Sequence, residues 1–161
     1  MTPRRPQLVH TATLLAAGDT HLAEDLVQAT LTKLYVAWPS FQRTQNPDGY
    51  VRRMLVNALI DERRRVWRRR EQPVAELPDR AAGAAPPVSP AAEAVRAALA
   101  ELPPRMRAAV VFRYFHDLDV AATADALNCS VGTVKSQTAR GLDRLRAALA
   151  DTPFLSQGAP S

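Results

Sequence analysis

Six arginines and one tryptophan stand together in DERRRVWRRR, the run from Asp61 to Arg70. Crowded guanidinium groups attract phosphates, and an indole stacks on a base, so the chemistry open to this run is contact with a polyanion. At helical spacing Arg53, Asn57, Asp61, Arg64 and Arg68 fall on one face, while Val56, Ile60 and Trp67 form a separate narrow apolar strip. A face that served solubility alone has no use for the amide of Asn57, which can bond a base edge; a plain solvated helix end is the competing reading. Trp67 sits in the apolar strip, so packing against a neighbouring helix is favoured over stacking on a base. A second set lies near the C-terminus, in NCSVGTVKSQTARGLDRLR. Thr133, Ser136, Gln137, Arg140 and Arg144 fall on one helical face with Lys135 at its border, and hydroxyls, an amide and cations on the first turns of a helix can read base edges and hold phosphates in a major groove.

Catalytic chemistry has no comparable set. His10, His21 and His116 are scattered, Cys129 is the single cysteine, and neither a metal-ligand spacing, a nucleophile triad nor a phosphate-cradling glycine loop occurs. The expectation is therefore no enzyme, no metal and no cofactor. Cys129 reads as a buried core thiol of a turn, in a chain without an internal disulfide framework. No apolar run approaches a membrane span, and MTPRRPQLVH lacks the apolar centre of a signal peptide, which predicts a cytoplasmic protein without membrane insertion.

The elements that must position these groups are helical. The 161 residues are 47% hydrophobic and only 6% aromatic, weighted toward Ala and Leu, and an all-α protein is expected. PVAELPDRAAGAAPPVSP, residues 73–90, holds five prolines and almost no bulky apolar residue, so it reads as a flexible Pro/Ala-rich linker between domains at 1–72 and 91–150, with a disordered tail at 151–161. The net charge of +5 is local: residues 52–70 hold eight arginines against Asp61 and Glu62. In the first domain Leu22, Leu26, Leu31, Leu34, Tyr35 and Trp38 mark a helix that Gly18 and Asp19 precede, that carries Glu24 and Asp25 in its first turn, and that Pro39 stops. The next helix opens at Asn46-Pro47 and puts Tyr50, Val51, Met54, Leu55, Ala58 and Leu59 on its core stripe. In the second domain Ser89-Pro90 opens a helix with Val95, Leu99 and Leu102, and Pro104 opens another running through Val110, Val111 and Tyr114. Then Ala124 allows a close approach, Asn128 takes a left-handed turn, Ser130 caps, and Val131, Val134, Thr138, Leu142, Leu145 and Leu149 form a buried seam, the pattern of a helix-turn-helix.

HLAEDLVQATLTKLYVAW, PDGYVRRMLVNALIDERRR and ELPPRMRAAVVFRYFHDLDVAATADALNCSVGTVKSQTARGLDRLR, in this order, resemble the sigma factors of the extracytoplasmic-function group, above all the short two-domain members from actinobacteria. The resemblance implies a region 2 helical bundle that binds core RNA polymerase through Glu24, Asp25, Gln28, Leu31 and Thr32. It also implies that this bundle opens the minus-ten promoter element along Tyr50, Arg52, Arg53, Asn57, Asp61, Arg64 and Arg65. A region 4 helix-turn-helix would read the minus-thirty-five element through Ser130, Thr133, Lys135, Ser136, Gln137 and Arg140, and an anti-sigma factor is a further expected partner. Tyr50 stands where many relatives carry Trp, and Gln137 where arginine is frequent, which implies an altered minus-thirty-five preference. The rival from another class is a stand-alone helix-turn-helix regulator, which leaves the acidic helix, the arginine face and the linker unrelated to one another.

Overall fold

The structure is a computed structural model that describes residues 4–71 and 89–150, apart from the side chains of residues 4, 67 and 69–71. These residues belong to two compact units, one within residues 1–84 and the other within 85–161. All regular structure among the described residues is helical. The expected linker up to residue 88, the tail at 151–161 and the packing of Trp67 lie outside what is described.

The first unit contains α1 (Arg4–Leu15), α2 (Thr20–Val36), α3 (Trp38–Arg43) and α4 (Pro47–Glu71). The chain leaves α1 through Ala17 and Gly18, at φ 53° and 85°, and the Gly18 N–H returns to the Thr13 carbonyl at 2.9 Å, closing the helix end in the left-handed way that glycine favours. Asp19 then caps α2, its carboxylate accepting from the Leu22 N–H at 3.0 Å. Pro39 prevents α2 from continuing but also opens α3, where a missing N–H costs nothing. Asn46 caps α4 by accepting from the Gly49 N–H at 3.0 Å. The core is built from Ala12, Leu15, Ala23, Leu26, Val27, Thr30, Leu55, Val56, Ala58 and Leu59.

Four expectations change here. Because α2 starts at Thr20, Glu24 and Asp25 stand beyond its first turn. Leu26, Val27 and Thr30 form the buried stripe of α2, which turns Leu31 to the surface and leaves Tyr35 85% exposed, while Trp38 lies beyond the end of α2 and opens α3, also exposed. On α4, Val56 is 1% exposed and belongs to the core, not to a secondary strip. Tyr50, Val51 and Met54 are half-buried at the margin.

The second unit contains α5 (Pro90–Ala100), α6 (Pro104–Val110), a π-helical turn (Val111–Phe115), α7 (Val120–Leu127) and α8 (Val131–Ala150). Ser89 and Asp119 cap α5 and α7, accepting from the N–H groups of Ala92 and Ala122 at 3.2 and 2.7 Å. Fully buried Phe112, Leu99, Leu102, Val110, Val111 and Val134 centre the core, each such side chain contributing about 1.5–3 kcal/mol on leaving water. Widening after Val110 replaces the straight helix expected through Tyr114, and it leaves Tyr114 and Phe115 exposed. Arg113 fixes the following loop by donating to the Leu118 carbonyl at 2.6 Å.

Two close fits set the geometry of α8. Gly141 is buried so tightly that a Cβ would stand 2.6 Å from Val110 Cγ2 and 3.1 Å from Met106 Cγ, which makes it the contact through which α6 and α8 approach. Arg107, 6% exposed, donates from Nε to the Leu99 carbonyl at 2.8 Å and from Nη2 to the carbonyls of Ala100 and Leu102 at 3.1 and 3.0 Å. It thereby satisfies the C-terminal end of α5 from inside the core.

Candidate nucleic-acid interface

The turn between α7 and α8 has the backbone that its sequence requires. Asn128 lies at φ 52° and ψ 52°, and the Cys129 N–H returns to the Ala124 carbonyl at 3.0 Å. Ser130 Oγ accepts from the Thr133 N–H at 3.1 Å and shares a 2.9 Å hydrogen bond with Thr133 Oγ1, so Ser130 is committed to the cap. Val134, Thr138, Gly141 and Leu145 face the core, while Leu142 and Leu149 are half-buried and Val131 is exposed, a narrower seam than the spacing predicts. Cys129 is half-buried, not enclosed; burial pushes its thiol up, and the Arg105 guanidinium opposes part of that shift.

Thr133, Ser136, Arg140 and Arg144 are exposed along one side of α8, and Lys135 is exposed at its border. Ser136 Oγ donates to the Thr133 carbonyl at 3.1 Å, so the hydroxyls of the first turn are engaged locally and the long cations extend beyond them. Gln137 departs from the expected outward set: it is half-buried, and its Oε1 is enclosed without a hydrogen-bond partner. Gly132 lies at the exposed start of the helix, where an added Cβ would meet only Ser130 Oγ, at 3.8 Å.

In the first unit, Arg53, Asn57, Asp61, Arg64 and Arg68 are all exposed along α4, as their spacing predicts. Arg52 is set apart from them: it is half-buried, with Nε enclosed and unpartnered. Arg65 pairs with Glu62 at 3.4 Å, a local contact within the helix. Tyr50 is half-buried at the start of α4 in an aromatic row, its ring 5.8 Å from Phe41, which lies 5.3 Å from Trp38. Sequence reasoning missed one member of this face. Lys33, from α2, reaches across to Asp61 with Nζ 3.3 Å from Oδ2. Its only signal in the sequence is that Lys33 and Lys135 are the two lysines among twenty-one basic residues.

Glu24, Asp25, Gln28, Leu31 and Thr32 share the solvent side of α2. Tyr35 and Val36, 85% and 77% exposed, continue that side as an apolar end, and counting residues from Leu26, Val27 and Thr30 finds them. Among the described residues no group of His, Cys, Asp and Glu is placed to hold a metal ion, and no helix is long and apolar enough to cross a membrane.

Two family models match the chain, each within one unit: Sigma-70 region 2 over residues 2–69 and Sigma-70, region 4 over residues 92–145. The chain is 35% identical over 136 residues to the RNA polymerase sigma-E factor of Streptomyces coelicolor, covering 79% of this chain and 71% of that one. It is 32% identical over 151 residues to the ECF RNA polymerase sigma factor SigM of Mycobacterium tuberculosis, covering 88% and 71%. A solved neighbour is the sigma factor RpoE of Bartonella quintana in complex with the anti-sigma factor NepR, with a TM-score of 0.70 and 25% identity over 91% of this chain and 92% of that one.

Proposed function

The chain belongs to the sigma-70 family of RNA polymerase sigma factors, in its extracytoplasmic-function group, and from that membership we propose a division of labour between its two units. The protein binds core RNA polymerase and directs initiation at particular promoters. The first unit docks on polymerase through Glu24, Asp25, Gln28, Leu31 and Thr32 of α2, and α4 holds the opened strand of the minus-ten element. Arg53, Asn57, Arg64 and Arg65 meet that strand, with Tyr50 at the helix start, Arg52 supporting them and Asp61 on the same face. The second unit reads the minus-thirty-five element with Thr133, Lys135, Ser136, Gln137 and Arg140 of α8, Ser130 fixing where the helix begins.

The observation that carries this reading is the segregation of chemistry between units. An anionic and apolar side of α2 and a cationic side of α4 share one bundle, while the helix-turn-helix with its own exposed cations occupies the other. Separation of strands exchanges stacking, about 1.4 kcal/mol per base-pair step, for contacts to a single strand, and exposed arginines supply the sequence-independent part of those contacts. Turnover belongs to the polymerase; the protein contributes position and strand capture, in the cytoplasm where polymerase works. An anti-sigma factor is a further partner, as the solved neighbour is bound to one. A stand-alone regulator needs no anionic docking side on α2, so that alternative is not favoured.

Transcription in vitro from genomic promoter fragments, using core polymerase with and without the full chain, is the test. New start sites that require the chain are expected. A chain that neither associates with polymerase nor changes where synthesis begins overturns the reading.

A further inference from the structure

We infer that Lys33, on the helix assigned to polymerase docking, belongs functionally to the strand-holding face of α4, where it screens Asp61 and so sets how strongly that face attracts phosphate. The inference rests on the function proposed above. Its geometry is specific: Lys33 Nζ lies 3.3 Å from Asp61 Oδ2, and the two side chains are 49% and 55% exposed. Asp61 stands among exposed Asn57, Arg64 and Arg68, so a carboxylate without Lys33 would place a negative charge where a phosphate chain must pass. On α2 the buried stripe is Ala23, Leu26, Val27 and Thr30, which puts Lys33 on the flank toward α4 and Glu24, Gln28 and Leu31 on the opposite side. Lys33 thus stands on the flank away from Glu24, Gln28 and Leu31, with Asp25 and Thr32 between, although it follows Thr32 directly.

An ion pair this exposed adds little to folding stability, so stability does not account for its placement. What it controls is the field. Asp61 accepts from Lys33, which directs the carboxylate toward α2, and the neutralised pair leaves Arg64 and Arg68 as the cations beside it. An approaching phosphate can also take Lys33 from Asp61, since an ammonium is a flexible donor of three hydrogens.

The two substitutions are predicted to act with opposite sign. Holoenzyme assembled from core polymerase and the full chain is titrated with a mixed-sequence single-stranded oligodeoxynucleotide between about 50 and 200 mM salt. Lys33→Gln should weaken binding by about threefold to tenfold at low salt, and the difference should shrink as salt rises. Asp61→Asn should tighten it by about twofold to fivefold, and the double variant should return to within about twofold of wild type. Affinity for core polymerase should stay unchanged in all three, and circular dichroism should show the same thermal transition.

Equal effects of one sign from both single variants, or no effect from either, overturns the inference. So does a loss of core affinity in Lys33→Gln, which would assign Lys33 to the docking side. A Lys33 acting only on the dipole at the end of α2 predicts lower thermal stability in Lys33→Gln and no change in Asp61→Asn, again the contrary result. A wild-type chain that does not bind core polymerase removes the functional reading itself, whereas wild-type activity with three silent variants removes this inference alone.

Discussion

Replacement of Arg107 tests whether a buried cation assembles the second unit. The guanidinium is 6% exposed and donates hydrogen bonds of 2.8, 3.1 and 3.0 Å to the carbonyls of Leu99, Ala100 and Leu102, at and beyond the end of α5. Arg107→Met keeps much of the apolar stem and removes all three donors. At about 1.5 kcal/mol for each hydrogen bond from a charged donor, the bonds amount to about 4.5 kcal/mol, and relief of guanidinium desolvation returns part of that, leaving a net loss of about 3 kcal/mol. For a unit of this size the corresponding fall in melting temperature is about 12–24 °C. Hydrogen exchange read by mass spectrometry on the full chain locates the effect, with faster exchange expected across α5, α6 and α8. Both tryptophans, Trp38 and Trp67, lie in the first unit, so a tryptophan-fluorescence melt serves as the internal control and should not move. Arg107→Lys, which cannot reproduce the planar fork, should recover little. Exchange unchanged to within about 0.5 kcal/mol in Arg107→Met, or full recovery by lysine, would refute the reasoning.

Other perturbations separate packing, backbone and recognition. Gly141→Ala should destabilise the second unit by about 1–2 kcal/mol, because Val110 is stiff at χ1 and cannot move away easily, whereas Gly132→Ala has open space and should stabilise slightly; denaturant midpoints for the pair give the comparison. Asn128→Ala should cost about 1 kcal/mol at φ 52° and Asn128→Gly nothing measurable, and equal losses would mean that the turn does not depend on left-handed backbone. Cys129 has its thiol pushed up by burial, so its contribution to stability is whole below the ordinary thiol range and falls as pH climbs toward the raised native value. The alkylation midpoint of the folded chain should accordingly lie above that of the denatured chain, and one below it would contradict the burial argument. Arg140→Ala should lower discrimination among minus-thirty-five sequences by about 1–3 kcal/mol, measured by competition between promoters, and an equal loss on every sequence would make it a phosphate contact.

Much of this protein was legible in one dimension because its signals are local. Caps at Asp19, Asn46, Ser89 and Ser130, the left-handed Asn128 and the spacing of the arginines on α4 each depend on residues within a turn or two. The all-α class follows from the same periodicity. Where periodicity was ambiguous, burial had to decide: the spacing offered Leu26, Leu31, Tyr35 and Trp38 as a plausible stripe, and packing against α1 and α4 keeps Leu26 but replaces the others with Val27 and Thr30, whose smaller side chains allow close approach. The π-helical turn after Val110, the Arg107 fork and the Gly141 contact depend on where a second helix arrives, and no spacing rule within one helix reports that. The same holds for Lys33 and Asp61, twenty-eight residues apart in the chain and 3.3 Å apart in space. The sequence by itself determined the helices and which charges they carry; tertiary packing decided which faces those helices show and which charges answer one another, since both depend on the distance between segments that share no local pattern.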